Sequence, residues 1–199
     1  IWDKKEAVEY IDSEKRLLRP ANLPEGSPGK GHGVFLSKNK KYKIGVINLM
    51  GNVYMRKSDN VFKKAKDLKE KFILKKNIDF LVVDFHGEIT SEKMAMGHFF
   101  DGSTTCLVGT HTHVPTADTR ILDNGTAYQT DIGMCGDYNS VIGMNKENSV
   151  KKFLKEKDVE KNFPSEGTGT LSGLIIDCDQ NTGLAKNVNR LILGGNLTE

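Results

Sequence analysis

Apolar and polar positions follow two different periods along the middle of the chain. Residues 78–85 (IDFLVVDF) and 104–110 (TTCLVGT) are mostly apolar, which is typical of strands buried on both faces of a parallel sheet. Between residues 58 and 76, apolar residues recur at helical spacing among lysines, which predicts an amphipathic helix beginning near Ser58 or Asp59. Residues 90–100 predict another helix, capped by Thr90 or Ser91. Alternating strands and helices predict an α/β core.

Turn signals predict an antiparallel part beside this core. The pair Asn124–Gly125 separates two short strands and favours a tight hairpin turn, because both residues tolerate positive φ angles. Residues 169–193 predict a second, longer hairpin. Asn145 is a candidate N-cap for a helix over residues 146–156, and Asp3 is a candidate for a short helix near the start of the chain.

The composition is that of an ordinary soluble globular protein, with 37% hydrophobic and 28% charged residues in a chain of 199. This length favours one domain, over residues 1–199. No apolar run approaches the roughly 20 residues of a membrane helix, and the first residues lack a signal-peptide pattern. The three cysteines are odd in number and far apart, so we expect reduced thiols in a cytoplasmic protein. The net charge of +3 slightly favours phosphate-bearing ligands.

Three histidines follow predicted strands. His86 comes directly after residues 78–85, and His111 and His113 come directly after residues 104–110. In extended backbone, residues two apart point to the same side, so His111 and His113 are expected to converge. If the two strands are parallel neighbours, all three imidazoles lie at one edge of the sheet, where ligand sites form. They are therefore candidate metal ligands, against the simpler interpretation of histidines in a loop or core.

The remaining histidines and the nearby carboxylates are weaker candidates. His98 is interpreted as a packing or interface residue of its apolar helix, and His32 as a residue of a Gly-rich loop. A two-metal hydrolase also needs a carboxylate that bridges its ions. Asp84 is expected on the other side of its strand from His86, and Asp131 is a candidate support for a metal ligand. The other two carboxylate candidates are Glu88 and Glu92, and none of the four is placed as a convincing bridge.

Four sequence blocks together resemble the YmdB-like group of calcineurin-like metallophosphoesterases. They are RLLRPANLPEGSPGKGHGVF, DFHGEITSEK, VGTHTHVPTAD and GTAYQTDIGMCGDYNSVIGM, in the order of the family and spread over nearly the whole chain. The resemblance implies an α/β sandwich of two mixed β-sheets flanked by helices. The first three motif blocks of the superfamily are absent, so the chain is expected to be the C-terminal two thirds of a domain without its N-terminal βαβ portion. The bridging carboxylate and the general acid are then expected upstream of Ile1, and the catalytic residues of the chain itself stay unknown.

The resemblance also implies ligands and an activity. His86 and His111 would hold one metal ion and His113 a second, with iron, manganese or zinc as candidates. The implied reaction is hydrolysis of 2′,3′-cyclic nucleotides or other small phosphodiesters, with 3′,5′-cyclic nucleotides as a further class. A homo-oligomer is expected, and no membrane partner.

Two alternatives stay open at this point. A poly-γ-glutamate-synthesis-type metallophosphatase-like enzyme fits the HGE sequence at residues 86–88, although the RPAN and SVIGM blocks favour the first family. A non-catalytic scaffold of the same fold is the alternative from another functional class.

Overall fold

A computed structural model describes residues 4–157 and 159–197, which form four helices and nine strands. The predicted cap at Asp3 lies outside these residues. The helices are α1 (Lys5–Ser13), α2 (Val61–Lys71), α3 (Thr90–Phe100) and α4 (Lys146–Phe153). The strands are β1 (His32–Leu36), β2 (Lys43–Met50), β3 (Phe80–His86), β4 (Cys106–Thr110), β5 (Arg120–Ile121), β6 (Ala127–Gln129), β7 (Gly136–Asp137), β8 (Gly169–Cys178) and β9 (Ala185–Leu193).

The larger sheet has six strands in the order β1-β2-β3-β4-β6-β5. Strands β2, β3, β4 and β6 run parallel, and β1 and β5 pair antiparallel with their neighbours at the two edges. The two apolar runs of the sequence are therefore parallel neighbours, as predicted. Both strands begin two residues later than predicted. Before β4, Thr104 and Thr105 use their hydroxyl groups to bond the backbone of Leu81.

Helices α2 and α3 contribute to the main core on one face of this sheet. Residues of β2 and β3 that face the core are fully buried, as are Val61 and Ala65 of α2 and Met96 of α3. The lysines of α2 lie mainly on its solvated side, as predicted. Its N-cap is Asn60, whose side chain accepts from Lys63 N at 2.9 Å, so the predicted start was early by one or two residues. The predicted cap of α3 was wrong, because Ile89 occupies that position without a side-chain bond.

On the opposite face of the sheet, the long β8–β9 hairpin covers β4 and β6. Cys106, Val108 and Ala127 of the sheet are buried against apolar side chains of this hairpin, which include Leu174, Ile176, Ala185 and Val188. Strands β7, β8 and β9 form a second sheet that is antiparallel within the described residues, rather than mixed. The α/β class with two packed sheets is confirmed. No helix within residues 4–157 and 159–197 has the length and apolar character that a membrane crossing requires.

The three cysteines are free thiols in different environments, which leads to a chemical prediction. Cys135 is exposed, Cys178 is partly buried and Cys106 is buried. Burial raises the pKa of the Cys106 thiol to about 12, because the low-dielectric core disfavours the thiolate, and the nearby Cys178 adds to the effect. Since the thiolate is the nucleophile, Ellman's reagent should modify Cys135 first and Cys106 only after denaturation, at pH 7 as at pH 9. Peptide mapping of the labelled sites checks this, and rapid labelling of Cys106 in the folded protein would contradict it.

Candidate metal site

The carboxyl ends of β3 and β4 bring two of the predicted histidines into contact. His86, the last residue of β3, pairs with Thr110, the last residue of β4, so His111 follows at the same level of the sheet. The His86 and His111 rings are 4.8 Å apart and nearly perpendicular, with His86 Nε2 3.1 Å from His111 Nδ1. The shared location that the sequence predicts for these two rings is confirmed.

A chain of hydrogen bonds beneath the pair orients the His86 ring. Asp84 accepts from Asn48 Nδ2 at 2.6 Å and from the Thr110 hydroxyl at 2.8 Å. Because that hydroxyl proton points to Asp84, the Thr110 oxygen accepts from His86 Nδ1 at 3.0 Å. His86 Nε2 therefore carries no proton, and its lone pair is free to bind a metal ion.

The side chain of Asp84 was predicted on the other side of its strand from His86, and this prediction was wrong. The side chain lies on the same face as His86, because residues two apart in a strand point to the same side. Burial raises the pKa of the Asp84 carboxyl, although the hydrogen bonds from Thr110 and Asn48 oppose this rise. Burial also lowers the pKa of His86, and the neighbouring His111 lowers it further. Both effects favour a neutral His86 ring.

His111 has a carboxylate partner on its other ring nitrogen. Glu88 Oε2 lies 3.0 Å from His111 Nε2, so the Nε2 proton is donated to the carboxylate and Nδ1 faces His86. A carboxylate behind a histidine is the common arrangement that fixes the orientation of a metal ligand. Glu88 therefore supports His111.

His113 occupies a different position from the one its spacing predicts. His111 and His113 have φ angles of 110° and 66°, so the segment after β4 is not extended and the period-two argument was wrong there. His113 Nδ1 lies 2.8 Å from the carbonyl oxygen of Ile142. Since a carbonyl only accepts, Nδ1 carries the proton and the Nε2 lone pair is available. The assignment of His113 to a second ion stays a prediction.

A buried ion pair anchors the loop that carries these two histidines. The side chains of Lys93 and Asp131 are 0% and 1% exposed, and Lys93 Nζ lies 2.8 Å from Asp131 Oδ2. The same carboxylate oxygen accepts from the backbone N–H of Thr112 at 3.0 Å. Thr112 lies between His111 and His113, so this pair fixes the backbone of both candidate ligands. The supporting role predicted for Asp131 matches this geometry.

None of the four carboxylate candidates bridges two sites. Glu92 accepts from the backbone N–H of Asn52 at 2.9 Å and holds the loop after β2. The other three carboxylates, those of Asp84, Glu88 and Asp131, accept the hydrogen bonds described above. Within residues 4–157 and 159–197, no three His, Cys, Asp or Glu side chains are placed to hold one metal ion. A metal site here would need further ligands beyond these histidines.

The His86–His111 pair nevertheless fits two ligands of a single ion. Two nitrogens that bind one ion at ~2.0–2.1 Å, at an angle between a right angle and the tetrahedral angle, lie about 2.8–3.4 Å apart. The observed separation of 3.1 Å falls in this range, and it is also the length of a hydrogen bond between the two rings, which a bound ion would replace. Both rings carry a hydrogen-bond partner on the opposite nitrogen, which leaves the two facing nitrogens for the ion.

The other two histidines lie away from this arrangement. His98 is exposed on α3, so it is not a core packing residue, and the interface part of its interpretation stays a prediction. His32 begins β1 and contacts the ring of Phe72, with its Nε2 2.7 Å from Lys71 Nζ. Burial lowers the pKa of His32, and nearby cations, Lys71 foremost, lower it further. Neither ring contacts His86 or His111.

Sequence reasoning missed several residues that organise the site: Asn48, Lys93, Thr110 and Ile142. Lys93 had a detectable signal, because it shares the apolar helix face of Met96 and Phe100. Thr110 and Ile142 had none, since their roles depend on pairing between distant segments.

Comparison with known proteins gives consistent matches. A family model described as YmdB-like protein matches residues 1–191. The 2′,3′-cyclic-nucleotide 2′-phosphodiesterase of Bacillus subtilis strain 168 is 44% identical over 192 residues, which is 96% of this chain and 71% of that protein. Two Mycoplasma relatives are 40% identical, and the chain spans 64% and 54% of their lengths.

Two crystal structures share the fold. One is a hypothetical protein from Thermus thermophilus, with a TM-score of 0.85 and 32% identity, matched over 98% of this chain and 73% of that one. The other is a phosphatase from Mycoplasma pneumoniae, with a TM-score of 0.84 and 38% identity, matched over 97% and 69%.

Proposed function

Because the chain belongs to the YmdB-like family, we propose that it forms the histidine-bearing part of a metal-dependent phosphodiesterase that hydrolyses 2′,3′-cyclic nucleotides. The observation that carries this proposal is the His86–His111 pair, whose facing nitrogens are 3.1 Å apart and whose opposite nitrogens are both engaged. The name of the Bacillus subtilis relative supplies the substrate class.

In this proposal, His86 Nε2 and His111 Nδ1 hold one ion, and His113 Nε2 contributes to a second. The remaining ligands come from groups other than these three histidines. Bound ions of this kind neutralise the phosphate oxygens and make a water molecule acidic enough to attack at neutral pH. Iron, manganese and zinc all accept imidazole ligands and are the candidate ions.

Several residues of this chain orient the three histidine rings. Thr110 and Glu88 accept hydrogen bonds from the ring N–H groups of His86 and His111 that point away from the proposed ion. The Ile142 carbonyl does the same for His113. The Lys93–Asp131 pair holds the backbone between the two loop histidines. A site prepared in this way does not have to reorganise when the charge of the transition state develops.

The reaction balances as a hydrolysis. One water adds to phosphorus, the bond between phosphorus and the ribose O2′ breaks, and O2′ takes a proton to become a hydroxyl. The product is then a nucleoside 3′-monophosphate, in agreement with the 2′-phosphodiesterase name of the relative. Hydrolysis of 3′,5′-cyclic nucleotides would use the same ligands.

The direct test is to identify the product formed by the intact protein. With Mn²⁺ present, we expect it to convert 2′,3′-cyclic AMP to 3′-AMP, as followed by chromatography against both monophosphate standards, with 3′,5′-cyclic AMP as the comparison substrate. Formation of 2′-AMP would contradict the proposed bond cleavage. The absence of hydrolysis with Mn²⁺, Fe²⁺ and Zn²⁺ alike would favour the scaffold alternative.

A further inference from the structure

Ile142 has an unusual backbone conformation directly beside His113. Its φ angle is 49°, and Gly143 follows with a φ angle of 92°. Val141 and Met144 close the turn with two backbone hydrogen bonds of 2.9 and 3.0 Å. Two successive positive φ angles in a closed two-residue turn define the type I′ class, which favours Asn-Gly. A β-branched residue at the first of these positions is strained, because its Cβ crowds the neighbouring carbonyl.

Neither the turn nor His113 requires an isoleucine there. The bond from His113 Nδ1 goes to the backbone carbonyl, which any residue would supply. The side chain is also not a core element, since it is 53% exposed. Strained residues cluster at active sites and ligand-binding sites. The Ile142 side chain therefore has a use outside the stability of its own turn.

The surroundings indicate what that use is. Val114, the residue after His113, is 54% exposed, and Ile142, whose carbonyl accepts from His113 Nδ1, is 53% exposed. A candidate ligand of the phosphate-binding ion is thus accompanied by two solvent-exposed apolar groups. Apolar walls next to a few polar groups are the usual composition of a small-molecule site.

We propose that Ile142 contacts the nucleoside part of the substrate and contributes to the preference for nucleotides over other phosphodiesters. This inference rests on the proposed function, because it assigns the part of the site that holds the base. The strained turn presents the Ile142 side chain while its carbonyl orients His113.

The test is Ile142→Asn in the intact protein, because asparagine suits the turn and retains the carbonyl. Relief of strain should raise Tm by about 2–4 °C. Loss of the apolar contact should raise KM for 2′,3′-cyclic AMP about 5- to 10-fold, by more than kcat falls. KM for 1-O-methylribose 2′,3′-cyclic phosphate, which has no base, should change by less than about twofold, because it never makes the contact. Calorimetric titration with 3′-AMP should show the same loss of affinity.

The matched control is Ile175→Asn on β8, since Ile175 is 52% exposed and lies in the β8–β9 hairpin. It should leave KM for both substrates unchanged. If Ile142→Asn does not fold, Ile142→Gly carries the same expectation. Unchanged KM and 3′-AMP affinity in the folded variant would overturn the inference while the wild-type activity stands. A wild-type protein that neither hydrolyses nor binds nucleotides would instead overturn the proposed function, and the inference with it.

Discussion

Replacement of His111 by alanine should lower kcat/KM for 2′,3′-cyclic AMP by at least about 10²- to 10³-fold in the intact protein. The reason is that His111 Nδ1 and His86 Nε2 face each other at 3.1 Å and are proposed to hold the same ion. Without one of them, the phosphate loses a charge that the transition state requires. His113→Ala should have an effect of similar size through the second ion. Steady-state kinetics with saturating Mn²⁺ measures both.

His98→Ala is the control for these two variants. His98 is an exposed imidazole on α3, so its removal should change neither the kinetics nor the free energy of unfolding by more than about 0.5 kcal/mol. Wild-type rates in both the His111 and the His113 variants would show that residues 111–113 are an ordinary loop. The enzyme proposal would then fail.

Replacement of Lys93 by methionine should lower the free energy of unfolding by about 3–5 kcal/mol. The change leaves the Asp131 carboxylate buried without its cation, although the N–H groups of Thr112 and Gly133 still donate to it. Removal of one partner of a buried pair is costly because the remaining charge cannot regain its water. Urea denaturation measures the effect, with the exposed Lys66→Met of α2 as the control.

The double variant Lys93→Met/Asp131→Asn separates charge compensation from loop anchoring. Neither of its two substituted side chains is charged, and the asparagine oxygen can still accept from Thr112 N. We therefore expect the double variant to be more stable than the sum of the two single effects predicts, by at least about 1 kcal/mol. Additive losses would contradict direct coupling between the two side chains.

The parts of the fold that were predictable are those that depend on local patterns. The two apolar runs became β3 and β4, and the asparagine at position 145 caps α4 by accepting from Asn148 N at 2.9 Å. The predicted starts of α2 and α3 were less successful, because Ser58, Asp59, Thr90 and Ser91 all suit an N-cap and none of them is the cap. Domain organisation, oligomeric state and a cytoplasmic location stay predictions.

The site was predictable only as far as strand ends determine it. His86 and His111 meet because β3 and β4 are parallel neighbours, which the sequence indicates. The conformation after Thr110 was not predictable, since His111 and His113 adopt positive φ angles that Asp131 and Ile142 support from distant segments. Such support comes from tertiary contacts, so it cannot be predicted from the local spacing of residues.

The metal content of the intact protein tests the central claim most directly. After removal of loosely bound ions and reloading with Mn²⁺, mass spectrometry should find about two ions per wild-type chain and about one in His111→Ala, as expected for a two-metal site. The histidines would be identified as ligands by that difference, independently of any activity assay. Equal metal content in the wild type and in His111→Ala, or no bound metal in either, would contradict the account.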